Sequence, residues 1–94
     1  MTTSDSGKQL PRVLDITKAQ ELLTEMLEGV RHGPMVVDVS EVERVSTPCL
    51  QILLAAGLAC DATGSAFRIR NPSEIFATAL ADLGLQSEFS KWMM

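Results

Sequence analysis

Val45-Ser46-Thr47-Pro48-Cys49-Leu50-Gln51-Ile52-Leu53-Leu54 is the stretch on which the reading of the whole chain turns. Two adjacent hydroxyl residues precede a proline, and an apolar run follows in which Gln51 is the only polar residue between Leu50 and Cys60. Proline fits the first position of a helix, where its missing N–H costs nothing and its fixed φ is already helical. The pattern predicts a helix from Thr47 or Pro48 to about Asp61 or Ala62, with Thr47 as N-cap, its side-chain oxygen facing the free N–H groups of the first turn. Such a helix start also accommodates an added phosphate, because the unpaired N–H groups and the helix dipole favour negative charge. A helix apolar nearly all round is buried on several sides or keeps one face for a partner. Ala55, Ala56, Gly57 and Ala59 permit close approach of neighbours. Gly57 costs about 0.8–1.0 kcal/mol of helix propensity relative to Ala, which implies a packing reason for it.

Upstream of this helix, Met35-Val36-Val37-Asp38-Val39 reads as a central strand, rich in β-branched residues and nearly free of polar ones. Ser40–Arg44 connects the two, with Val42 as its apolar anchor. Asp15–Arg31 reads as a helix, because Ile16, Ala19, Leu22, Leu23, Met26, Leu27 and Val30 recur at three- and four-residue spacing. Thr17 and Gln20 resemble a capping box with Asp15 as a competing cap, and Gly33-Pro34 ends the helix. Gln9–Leu14 forms a short first strand that Pro11 confines to an edge or an irregular entry. Residues 1–8 form a polar, flexible leader.

Downstream, Thr63-Gly64-Ser65 is a turn and Ala66–Arg70 alternates as a half-solvated strand does. Asn71-Pro72-Ser73-Glu74 starts a third helix with Ile75, Phe76, Ala79, Leu80 and Leu83 on its buried face, and Gly84 ends it. Residues 85–94 form a last short helix or arm anchored by Phe89 and Trp92. Residues 9–94 thus make one domain. The alternation of strand and helix predicts an α/β fold, a small mixed β-sheet with helices packed mainly on one face, and leaves the pairing direction of the first strand open.

The bulk properties exclude several function classes. The 94 residues carry only 8 Lys and Arg, a net charge of -4 and no basic cluster, which argues against nucleic acid and anionic membrane surfaces as partners. The first ten residues hold no signal-peptide apolar region. The longest apolar run, Ile52–Cys60, is too short to insert across a membrane. Cys49 and Cys60, eleven residues apart on one helix, lie roughly 16 Å apart and cannot bond to each other. Free thiols without a disulfide framework point to the cytoplasm.

Catalysis is poorly served. His32 sits alone at a helix end, and no zinc-ligand spacing or phosphate-binding glycine motif occurs. Asp38, Glu41 and Glu43 form a small acidic group in a solvated loop without a complete set of acid, base and nucleophile. Cys49 is read as a packing residue. We therefore expect no enzyme activity, no catalytic residues, no metal site and no cofactor.

Residues 36–56, from Val36-Val37-Asp38-Val39 through Ser46-Thr47-Pro48 to Ala55-Ala56, resemble the core of STAS domains, among them the bacterial anti-sigma factor antagonists. Thr63-Gly64, Phe67–Arg70, Asn71-Pro72-Ser73 and Leu83-Gly84-Leu85 follow in the family's usual order, so the resemblance covers about Val13 to Leu85. It implies a cytoplasmic signalling module that binds a protein partner, such as a serine/threonine or histidine kinase-like regulator or a chemotaxis component. In the antagonists a hydroxyl at the helix start is phosphorylated, and the modified form releases its partner. That position is Thr47 here, with Ser46 as second choice. Ser46 stands where the family has Asp, Cys49 where it has Gly, and Pro48 where it has a small residue. The implied partner surface comprises Asp38, Ser40, Glu41, Ser46, Thr47, Pro48, Cys49 and Gln51. The chain also resembles the small STAS subunit of a lipid-transport ABC complex, which implies constitutive docking on an ATPase, and STAS relatives that bind small ligands. A homodimer is left open.

Overall fold

Two short strands, Lys8–Gln9 (β1) and Val13–Leu14 (β2), open the computed structural model, which describes residues 8–93. They are the halves of the expected first strand. Pro11 lacks the N–H that a continuous ladder needs, and the chain changes partner around it. Before it, β1 pairs in parallel with Met35–Asp38 (β3) and Leu10 N–H donates to the Asp38 carbonyl at 3.0 Å. After it, β2 pairs in parallel with Arg44–Val45 (β4). Phe67–Arg70 (β5) lies parallel on the other side of β3, giving the order β1-β3-β5. The central position expected of β3 is what its burial on Val37 and Met35 requires. The pairing left open for the first strand is thus parallel. Lys8, expected in the leader, belongs to β1; residues 1–7 of that leader, and Met94, lie outside the described residues.

A single 3₁₀ turn, Ile16–Lys18, leads into Ala19–Arg31 (α1). Asp15 is the cap, accepting from Thr17 N–H at 3.1 Å and from the Thr17 hydroxyl, so the competing cap prevails over the Thr17–Gln20 box. These two donors, the hydroxyl first, hold the Asp15 carboxyl below its usual value. Thr47–Thr63 (α2) follows β4 and ends on Gly64, whose φ of 78° suits a residue without Cβ. Glu74–Asp82 (α3) is capped by Ser73, whose Oγ accepts from Phe76 N–H at 3.1 Å. Gln86–Ser90 (α4) is the expected last helix.

The core gathers between the sheet and the helices: Val37, Ile69 and Phe67 from the strands, Val39 just beyond β3, Leu50 and Leu53 from α2, Phe76 and Leu80 from α3. Trp92 closes it, set edge-on to Phe67 and Phe89 with ring centroids 5.3 and 5.4 Å away. Its carbonyl accepts from Ile69 N–H at 2.7 Å, and Met93 bridges Ile69 in parallel, so the C-terminal segment extends the sheet beyond β5. Gly57 has the packing reason its helix penalty implied: a Cβ there would stand 2.5 Å from the Trp92 ring.

Two faces depart from expectation. On α1 only Leu22 and Met26 are buried, while Leu23 and Leu27, and Ile16 in the 3₁₀ turn before it, are 37%, 58% and 64% exposed. On α3, Phe76 and Leu80 are buried, but Ile75 and Leu83 are exposed. A small sheet reaches only a narrow arc of each helix, so an apolar stripe of wide arc stays partly in water.

Candidate partner-binding site

The start of α2 is fixed from behind. β2 aligns Val13 with Arg44 and Leu14 with Val45. Glu43 and Arg44 N–H both donate to the Arg12 carbonyl, at 2.7 and 3.1 Å, and Ser46 N–H donates to the Leu14 carbonyl at 2.8 Å. The Cys49 thiol, 3.5 Å from the Asp15 carbonyl, ties the first turn of α2 to the entry of α1. Segment 12–15 therefore sets the position of the helix start, mainly through backbone bonds and with the Cys49 thiol as a side-chain tie.

Ser46, not Thr47, is the N-cap residue. It is extended, with φ -93° and ψ 159°, and its carbonyl accepts the first helical bond from Leu50 N–H at 3.1 Å. Thr47 is then the first helical residue and Pro48 the second. The shift by one residue has a simple cause: the parallel ladder holds Ser46 extended up to the junction. No side chain caps the helix. The Ser46 Oγ is buried without a hydrogen-bond partner, and the Thr47 hydroxyl is carried on an exposed residue. Pro48 has no N–H, so Thr47 and Cys49 carry the first-turn donors that the helix itself leaves free.

The loop leading to this junction is also anchored. Asp38, at the end of β3, accepts from Ser40 N–H at 2.9 Å and from Asn71 Nδ2 at 3.2 Å, with Arg70 Nε at 3.7 Å. The Ser40 hydroxyl and N–H, then Asn71 and Arg70, hold its carboxyl below the usual value. Asn71 adopts φ 55°, a left-handed conformation Asn tolerates. Val42 is buried, and its carbonyl accepts from the Ser73 hydroxyl at 2.8 Å. One serine thus caps α3 and holds the loop.

The structure sorts the sequence-based candidates. Ser40, Glu41, Thr47, Pro48 and Gln51 are exposed around the loop and the first turns of α2. Asp38 and Ser46 are half-buried, and Asp38 is engaged in holding the loop. Cys49 is fully buried, so it acts through packing and its bond to Asp15 rather than by touching a partner; a residue in the first turn points inward as readily as outward, and spacing alone does not decide which. Sequence reasoning did not connect Asn71 and Ser73 with this loop, since they lie 33 and 31 residues from Asp38 and Val42.

Among the described residues the remaining titratable groups form no second centre. Cys60 is buried, which together with Asp61 raises its thiol pKa and makes it a poor nucleophile. His32 is exposed beside Glu28 at 3.2 Å. No group of three His, Cys, Asp or Glu suited to a metal ion occurs among the described residues. Among them, too, no helix is long and apolar enough to cross a membrane.

A family model described as "Mlab, STAS domain" matches residues 9–91. The chain belongs to the STAS domain family. No curated protein and no solved structure matches it. STAS domains are generally non-enzymatic signalling or binding modules that commonly act through other proteins, and anti-sigma factor antagonism is the family's general role.

Proposed function

We propose that this STAS domain binds a kinase-like regulatory protein through the 40–47 loop and the first turns of α2, and that phosphorylation of Thr47 switches the complex off. What carries the reading is the placement of Thr47: exposed at the first position of a 17-residue helix whose entry is held by segment 12–15. A phosphate there adds about -1.5 to -2 charges. The free N–H groups of Thr47 and Cys49 and the helix dipole offset that charge inside the molecule, so the fold survives. An acidic or apolar partner surface seated on the same spot is repelled. Exposed Ser40, Glu41, Pro48 and Gln51 flank the position and supply the surrounding contact surface.

The test is incubation with the kinase encoded beside the gene and ATP, with the phosphate mapped by mass spectrometry and partner binding measured before and after. Phosphate on Thr47 with loss of binding is the expected result. Phosphate elsewhere, or none while binding persists, overturns the switch.

A second reading is constitutive docking of this surface on an ATPase, as the resemblance to a transport-complex STAS subunit implies. Pro48 favours it, because it deletes one of the N–H donors that would hold a phosphate. Under that reading unmodified Thr47 is itself a contact, and Thr47→Ser is tolerated where Thr47→Glu is not.

A further inference from the structure

Between α1 and α2 the surface carries an apolar groove of about 320 Å³, walled by Leu23, Leu27 and Val30 on one side and Ile52, Ala55 and Ala59 on the other. The two helices start at the same end, where the Cys49 thiol meets the Asp15 carbonyl, and Arg31 stands with Ala59 at the far end. Exposed Pro48 precedes Ile52, Ala55 and Ala59 at spacings of four, three and four, so it opens the same stripe. The groove itself is lined from Ile52 onward, and Pro48 continues its stripe one turn further toward the Thr47 junction.

We infer that this groove seats an amphipathic helix of the partner protein, antiparallel to α1 and α2, with acidic residues in its first turn beside Arg31. The inference rests on the partner-binding reading and adds the chemistry of the element that docks.

Three observations select this occupant. A second copy of the chain fits poorly, because the groove offers far less apolar surface than an interface between copies requires. A stable interface needs roughly 800 Å² per partner. An acyl chain fits poorly too: the groove is an open trough along two helices, whereas small-ligand sites bury roughly 70–90% of the ligand. A helix laid over the trough instead inserts side chains at i, i+4 and i+7 between Leu23 and Leu27 on one wall and Ile52, Ala55 and Ala59 on the other. The stripe from Pro48 to Ala59 rises over eleven residue steps, roughly 16 Å, three turns of such a helix.

Charge sets the direction. Among the described residues Arg31 is the one charged residue lining the groove. Its ion pair with Glu28, 4.0 Å long and exposed on both sides, is weak and exchangeable. The C-terminal end of α1 and the last turns of α2 lie at that end of the groove, and their dipoles favour the N-terminus of a third helix. Acidic residues in that helix's first turn complement both its own dipole and Arg31.

The probe is a synthetic fourteen-residue helix with leucines at i, i+4 and i+7 and two glutamates in its first turn, titrated into the isotope-labelled full chain and followed by NMR. Saturable shifts confined to Leu23, Leu27, Ile52, Ala55 and Ala59 and their neighbours are expected. Leu27→Lys should weaken the probe at least tenfold, and Ile75→Lys on α3 should leave it unchanged. Moving the glutamates to the last turn should weaken it about threefold. Absence of saturable shifts, shifts elsewhere, equal binding of the charge-reversed probe, or self-association of the chain through these residues each overturns the inference. So does laurate shifting them where the probe does not. Loss of full-length partner binding on Leu27→Lys but not on Thr47→Glu would support the groove while removing the switch.

Discussion

α2 is lined by small residues on two sides, and the chain treats those sides differently. Gly57 faces the C-terminal segment, and Trp92 fills the space that a Cβ would need. Ala55 and Ala59 face α1, and there the chain leaves a trough flanked by the exposed parts of Leu23 and Leu27. The same residue class therefore does two things in one helix. On one side small size is a requirement of the protein's own core. On the other, no described residue fills the space beside Ala55 and Ala59, and a groove lies open there.

The sharpest way to break this contrast is to empty the filled side. Trp92 is buried against Phe67, Phe89 and Gly57, and its Nε1 donates to Asp61 Oδ1 at 3.3 Å. Trp92→Ala should cost about 3–5 kcal/mol. Its thermal midpoint should fall by on the order of 12 °C or more. A loss below about 1 kcal/mol in urea titration would show the C-terminal segment to be dispensable packing.

Crowding the same side comes next. Gly57→Ala gains about 0.8–1.0 kcal/mol of helix propensity but drives a Cβ into a buried ring that has nowhere to go, at about 1–3 kcal/mol. Net destabilisation of about 1 kcal/mol is expected. Ala59→Leu on the open side should change stability by no more than about 0.5 kcal/mol, although the added volume is larger, and should block the groove. Equal costs for the two substitutions would erase the difference between the two sides.

The loop ahead of α2 gives a smaller, pH-dependent effect. The Asp38 carboxyl is held below its ordinary 3.8 by Ser40, Asn71 and Arg70. Its folded value is depressed, so its contribution is present above the unfolded value near 3.8 and is lost as pH falls through the lower folded value. Asp38→Asn should therefore cost about 1 kcal/mol at neutral pH, where charged-group hydrogen bonds are lost, and should flatten the acid limb of stability below the ordinary carboxylate value of 3.8. An unchanged acid limb in pH-dependent urea titrations would remove Asp38 as the anchor of the loop.

Most of the fold was legible because it is local. The β-branched run of β3, the alternation of β5 and the proline at the head of α2 each specify their element without reference to distant residues. Gly57 signalled a close approach, but not that Trp92, thirty-five positions later in the chain, makes it. The N-cap was misplaced by one residue because the parallel ladder through Leu14, not the propensity of Thr47, decides where the extended backbone ends. Periodicity put Leu23 and Leu27 on a buried face: a stripe of apolar residues reports that something covers it, not whether that cover is the chain's own sheet. The placement of Thr47 and Pro48 at the head of α2 was legible from residue type. The anchoring by Asp38, Asn71 and Ser73 was not, because hydrogen bonds across more than thirty residues leave no local pattern.

The most direct test is the affinity of the partner regulator for Thr47→Glu, measured by calorimetry alongside the thermal midpoint of the variant. Binding should weaken at least tenfold, about 1.4 kcal/mol, while the midpoint moves by no more than about 2 °C, because a charge at the first position of α2 meets the helix dipole and not the core. Unchanged affinity, or an affinity loss that appears only with a collapse of the midpoint, would contradict the switch.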